Sequence, residues 1–148
     1  MRDDPASFVP MAEWPQVHAI DGVLDVLAHL HADGRRCILA TSAEISDEAQ
    51  IRAALDRVEA GRYFERIYCR KNTGLPKGVD FYRFILEDLG IDASETLMIG
   101  DHFEADVLAP NRLGIHAIWF NPATDENREA DLHRTVHSME ELLGVVAG

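Results

Sequence analysis

The stretch Leu97-Met98-Ile99-Gly100-Asp101-His102-Phe103-Glu104-Ala105-Asp106 decides how this chain is read. A short apolar run ends in Gly-Asp, and a second carboxylate follows five residues later, where a helical pattern begins. Strands of a parallel sheet are buried on both faces and read as unbroken apolar runs, and ligands collect beyond their carboxyl ends. Two carboxylates set there make a hard, oxygen-rich site of the kind Mg²⁺ prefers. The plainer reading is a helix start whose acids favour the positive end of the dipole.

Outward from this stretch the pattern repeats. Cys37-Ile38-Leu39-Ala40, Ile67-Tyr68-Cys69 and Ala117-Ile118-Trp119-Phe120 read as further strands beside Leu97–Ile99. Between them lie helical spacings. Asp21 can cap a helix carrying Val23, Leu24, Leu27 and Leu30, stopped by Asp33-Gly34. Ser46 opens a second with Ile51, Leu55 and Val58, ending at Gly61. A third carries Phe81, Tyr82, Ile85 and Leu89 up to Gly90, and a fourth, Glu104–Leu113, is interrupted by Pro110. Ser138-Met139-Glu140-Glu141 is a capping box opening a last helix through Leu142 and Leu143. This alternation predicts an α/β fold, a three-layer parallel sheet with helices on both faces. Residues 1–16, with Pro5, Pro10 and Pro15 and no clear period, read as an extended arm, which leaves 17–148 as the folded domain.

At 148 residues the chain has the length of one domain with a single substantial core. Its formal net charge of −12 argues against nucleic acid or an anionic membrane as the main partner. A phosphate pocket would therefore depend on local cations. No apolar run has the length of a membrane span, and Met1-Arg2-Asp3-Asp4 opens no signal peptide, so a cytoplasmic protein is expected. Cys37 and Cys69, in predicted strands, then read as buried reduced thiols and not as a zinc pair.

Three features fall at or near strand ends: Thr41-Ser42, Lys77, and Asp101 with Asp106. Each has an ordinary explanation. A hydroxyl pair can simply end a strand, Lys77 between Pro76 and Gly78 can be a solvated loop cation, and Asp106 can be an early-helix acid. In a doubly wound sheet, however, these ends share one edge and can meet in one pocket. A hydroxyl, an ammonium and a carboxylate-held Mg²⁺ are what a phosphoryl group requires.

Their order resembles the haloacid dehalogenase (HAD) superfamily, mostly Mg²⁺-dependent phosphohydrolases with a Rossmann-like core. Ile38-Leu39-Ala40-Thr41-Ser42 looks like its second motif, Leu75-Pro76-Lys77-Gly78-Val79-Asp80-Phe81 its third, and Gly100-Asp101 through Asp106 its fourth. The similarity continues through Leu113-Gly114 and Ala117–Asn121, and spans roughly residues 15–143. The resemblance implies Thr41, with Ser42, and Lys77 as phosphate-binding residues, Thr41 and Lys77 as catalytic ones, and a small phosphorylated substrate or phosphate as ligand. It implies Asp101 as a Mg²⁺ ligand and Asp106 as a ligand or an orienting carboxylate. His102 departs from the small hydroxyl residue often found at that position.

The family's chemistry begins with a first motif, an apolar strand ending in Asp-x-Asp, whose first Asp attacks phosphorus and whose second moves protons. No such motif occurs. Asp3-Asp4 lacks a preceding strand, and in Ile20-Asp21-Gly22-Val23-Leu24 the nucleophile position would fall on Ala19. The chain thus reads as the C-terminal two-thirds of such a core, weak or inactive alone. In the family that strand lies between those ending at Thr41 and Gly100. Either these two strands pair directly, or a slot remains with unpaired N–H and C=O groups. A segment such as Phe8-Val9, a second copy or a separate polypeptide could fill it. Two other readings stand beside the phosphohydrolase: a non-catalytic domain of the same ancestry that binds Mg²⁺ or phosphate, and a receiver-type signalling domain. Receivers want the order Asp, Thr, Lys, whereas Thr41 and Lys77 precede Asp101 here. A dinucleotide binder is disfavoured because no Gly-x-Gly-x-x-Gly follows a strand.

Overall fold

The computed structural model describes residues 23–41 and 46–147. The expectations for residues 1–16, for Asp21 as a cap and for Ser42 lie outside the described residues. In chain order the elements are α1 (Val23–Ala32), β1 (Cys37–Ala40), α2 (Glu48–Arg57), β2 (Phe64–Tyr68), the single turn α3 (Arg70–Thr73), α4 (Val79–Leu89) and β3 (Leu97–Gly100). A π-helical turn (Phe103–Leu108) then runs into α5 (Ala109–Asn111), followed by β4 (His116–Phe120), β5 (His133–Val136) and α6 (Met139–Ala147). Every ladder between these strands is parallel, as the alternation of elements requires.

Local chemistry sets the boundaries. Helix α2 starts one residue later than Ser46 would have it, because Asp47 is the cap. Its Oδ1 accepts the Gln50 N–H and Gln50 Oε1 accepts the Asp47 N–H, both at 2.8 Å. Helix α4 ends where Gly90 takes φ +66°, a left-handed conformation that suits glycine. The predicted helix Glu104–Leu113 is two pieces. Pro110 has no N–H to close on the Asp106 carbonyl, and the preceding turn opens to π spacing, with Ala109 N–H on the Glu104 carbonyl. Strand β5 was not visible in the sequence. His133-Arg134-Thr135-Val136 sits at a sheet edge with only Val136 buried, so it joins through its backbone and carries no apolar run.

The strands form two sheets, β1-β2 and β3-β4-β5, with no ladder between β1 and β3. Among the described residues, therefore, the two strands do not pair directly. Two apolar clusters hold the half-sheets together. On one face Leu27 of α1, Ile51 of α2 and Leu142 of α6 belong with Leu39 and Ile67 of the first half and Ile99 and Ile118 of the second. On the other, Phe81 and Ile85 of α4 and Val107 belong with Ala40 and Tyr68, and with Met98 and Trp119. Each large buried side chain contributes about 1.5–3 kcal/mol. Two helix layers that both span the slot can thus hold the halves in place without strand-to-strand bonds.

Cys69 is buried, Cys37 half-buried, and both are free thiols. Burial raises both thiol pKa values, which suits unreactive core sulfur. Among the described residues, no helix is long and apolar enough to cross a membrane.

Candidate functional site

The chain leaves the carboxyl end of β2 through Cys69, makes the single turn of α3, and reverses at Gly74 with φ +77°. Thr73 fastens this reversal: its hydroxyl donates to the Cys69 carbonyl at 2.7 Å and accepts the Leu75 N–H at 3.1 Å. Pro76 follows, and Lys77 is delivered just ahead of α4. Its Nζ lies 2.5 Å from Asp106 Oδ1, with 6% of the Lys77 side chain and 1% of the Asp106 side chain exposed.

Asp106 is fully engaged. Oδ2 accepts the His102 N–H at 3.0 Å, and Oδ1 also receives the Tyr82 hydroxyl at 3.4 Å. Two buried charges need this much partnering, since an ion taken from water and left unpaired costs several kcal/mol. The contact also orients the sheet. Lys77 follows β2 and Asp106 follows β3, so the pair ties the carboxyl ends of the two half-sheets to the same edge.

Asp101 is the first residue beyond β3 and is exposed. Its carbonyl accepts the Trp119 indole N–H at 3.0 Å, which fixes the turn that presents it. His102 caps the π turn: its Nδ1 accepts the Ala105 N–H at 3.2 Å. The imidazole thereby does what a small hydroxyl residue would do at this place. Beside it the Phe103 ring meets Trp119 edge-on at 5.2 Å and His133 at 5.4 Å, with the Arg128 guanidinium 4.4 Å from the Phe103 centroid. Thr41, 1% exposed, is the first residue after β1, and its N–H donates to the Tyr68 carbonyl at 3.0 Å.

Of the sequence-derived residues, Lys77 and Asp106 touch, and Asp101 joins them through the His102 turn. Thr41 stands at the end of β1, on the other side of the slot from β3. Two contributors escaped the sequence reading, Tyr82 and Trp119. Tyr82 counted only as an apolar helix position. A largely buried Trp seeks a partner for its N–H, which was an available signal, although the partner's identity was not.

Asp106, with both oxygens occupied, has the geometry of an orienting carboxylate, whereas Asp101 is the exposed acid at the edge. No group of three or more His, Cys, Asp or Glu side chains suited to a metal occurs among the described residues. Mg²⁺ commonly keeps several waters and takes one or two carboxylates plus substrate phosphate oxygens. The donor set fits an ion held in that way, and not one enclosed by a protein cage.

The family model described as haloacid dehalogenase-like hydrolase matches residues 10–120. The chain is similar to pyrimidine 5'-nucleotidase PynA of Streptococcus pneumoniae, 32% identical over 84 residues, which covers 55% of this chain and 35% of that protein. It is also similar to the ribulose-1,5-bisphosphate 5-phosphatase of Halopiger xanaduensis, 26% identical over 111 residues, covering 70% of this chain and 46% of the relative. The chain thus spans less than half the length of either curated relative. Among solved structures, an uncharacterized protein from Listeria monocytogenes superposes with a TM-score of 0.76 at 25% identity, covering 93% of this chain and 84% of its own.

Proposed function

The chain belongs to the haloacid dehalogenase-like hydrolase family, and we propose that it supplies most of a Mg²⁺-dependent site for hydrolysing a small phosphate monoester. The observation that carries this reading is the enclosed Lys77–Asp106 pair at the edge where Asp101 is exposed. An ammonium held by a buried carboxylate has a fixed position, and a fixed cation stabilises charge developing on a phosphoryl oxygen without first reorganising. Thr41 holds an equatorial phosphoryl oxygen by its hydroxyl, with Ser42 beside it in sequence. Asp101 holds the metal, while Asp106 orients Lys77 and the turn after β3. Mg²⁺, when bound, supplies a Lewis acid that polarises a P–O bond. The two curated relatives are named for phosphorylated small molecules, which supports a substrate of that class.

The family route passes through an aspartyl-phosphate, and the carboxylate that would form it is absent from the described strand ends. Turnover by this chain alone is therefore weak or nil. Calorimetric titration of Mg²⁺ with orthophosphate present should show uptake that Asp101→Asn removes. Hydrolysis of p-nitrophenyl phosphate should stay near background. No uptake of Mg²⁺ with or without phosphate would overturn the site, and strong turnover abolished by Asp101→Ala would show that a nucleophile is present after all. Uptake without turnover also fits a non-catalytic phosphate-binding descendant; restored hydrolysis on supplying a nucleophile-bearing strand separates the two.

A further inference from the structure

The connection from β4 to β5 is fastened at Arg128. Its N–H donates to Thr135 Oγ1 at 2.8 Å, and the Thr135 hydroxyl donates to the Arg128 carbonyl at 2.9 Å. Thr135 lies in β5, in register with Trp119 of β4, so this clasp sets Arg128 beside the indole. The side chain is held as well. Its Nε donates to Glu126 Oε2 at 2.6 Å, and the guanidinium carbon stands 4.4 Å from the Phe103 ring centroid and 5.0 Å from that of Trp119. Among the described residues it is the one cation set against two rings, since Arg62 meets only the ring of its neighbour Tyr63. These two rings flank Asp101. Phe103 is two residues beyond it, and Trp119, in register with Gly100, gives its indole N–H to the Asp101 carbonyl. The rings meet edge-on at 71°, and His133 of β5 meets Phe103 edge-on in turn, its Nδ1 2.7 Å from Asn111 Oδ1.

We propose that Arg128 is a positioning residue for Asp101: its guanidinium locks the Phe103–Trp119 ring pair and, through the indole N–H, the turn on which the metal-holding carboxylate stands. This assignment rests on Asp101 as the Mg²⁺ ligand. An edge-on ring contact tolerates a range of separations and tilts. A planar, weakly hydrated guanidinium set against both rings couples them, because it stacks on aromatic faces while its N–H groups stay directional. Charge gives no other reason to put arginine here for the metal's sake. A cation near a Mg²⁺ site repels the ion, and Glu126 already offsets part of that charge. What Arg128 supplies is shape. With its backbone clasped by Thr135 and its Nε held by Glu126, the guanidinium is placed before any ligand arrives. Strand β5, which touches neither Asp101 nor Asp106 in any described contact, thereby reaches the site through one side chain.

The test uses the full chain, with Arg128→Met removing the guanidinium while both backbone bonds to Thr135 survive, and Arg128→Lys keeping a cation within reach of the rings. Two quantities are read: solvent exchange of the Trp119 indole N–H by NMR, its signal identified by its loss in Trp119→Phe, and Mg²⁺ affinity by calorimetry at saturating orthophosphate. In Arg128→Met the exchange should quicken and the Mg²⁺ affinity fall, each by about two- to fivefold, the ratio that a partly exposed cation–π contact corresponds to. Arg128→Lys should recover part of both. Charge alone predicts the opposite sign for the metal, tighter Mg²⁺ once a nearby cation is gone. Tighter or unchanged Mg²⁺ binding, or unchanged indole exchange, overturns the proposal. Weaker orthophosphate binding with unchanged exchange would assign Arg128 to the anion and overturns it equally. If Arg128→Met does not fold, Thr135→Val loosens the clasp with no change of charge and must move both quantities the same way; no movement overturns the proposal. Absence of Mg²⁺ uptake by the unsubstituted chain overturns the phosphohydrolase reading and this assignment together, whereas uptake that Arg128→Met leaves intact overturns this assignment alone.

Discussion

The two halves of the sheet hold their share of the candidate site in different ways. On the β3-β4-β5 side the site residues are cross-braced by side chains: Trp119 holds the Asp101 carbonyl, and Asp106 gathers Lys77, Tyr82 and the His102 N–H. On the β1-β2 side, Thr41 is held by the backbone ladder through Tyr68. Geometry fixed by a buried ionic network is rigid but sensitive to loss of any member. Geometry fixed by a ladder tolerates side-chain change, because the bonds belong to the main chain. The contrast predicts that substitutions on the first side damage folding and site together, and that those on the second affect ligand binding alone.

The largest effect should come from Asp106→Ala, which strands the buried Lys77 ammonium and removes the acceptor for the His102 N–H. Urea unfolding should report a loss of about 3–5 kcal/mol. A loss under about 1 kcal/mol would mean that Lys77 escapes to water and that the network is not rigid. Next comes Trp119→Phe, which keeps a ring against Phe103 but leaves the Asp101 carbonyl without its donor. About 1–3 kcal/mol is expected, with weaker Mg²⁺ uptake; unchanged uptake would show that the Asp101 turn does not depend on the indole.

Thr41→Val tests the other half. Its ladder bond survives, so stability should move by about 1 kcal/mol or less, while orthophosphate binding measured by calorimetry falls severalfold. A stability loss as large as that of Asp106→Ala would erase the distinction. The smallest effect concerns acid. The Arg36 guanidinium, 2.6 Å from Glu65, holds that carboxyl below the usual range. A depressed folded-state pKa means stabilisation that is present above the unfolded value, about 4.3 for Glu, and lost as pH falls through the folded one. Both side chains are roughly half exposed, so Glu65→Gln should only slightly lessen the acid sensitivity of the melting temperature, and less again in high salt.

How much of this was readable beforehand varies with the kind of interaction. Apolar runs such as Leu97–Ile99 and helical spacings such as Phe81, Tyr82 and Ile85 announce elements, because burial acts on each residue locally. Order along the chain placed Lys77, Asp101 and Asp106 at or near strand ends, within the residues 10–120 that match the family. Strand β5 was missed because an edge strand needs a partner's backbone more than apolar side chains of its own. The π turn depended on Pro110, which was visible, but its consequence at Ala109 was not.

By itself, the sequence determined the α/β class, the succession of elements, and which hydroxyl, ammonium and carboxylates fall near strand ends. Tertiary structure alone decided that Lys77 is neutralised by Asp106, that an indole braces Asp101, and that β1 and β3 share no ladder among the described residues. The reason is one of range. Periodicity and capping are written in neighbours a few positions away, whereas an ion pair between residues 77 and 106 and a gap between residues 40 and 97 exist only once the chain has packed.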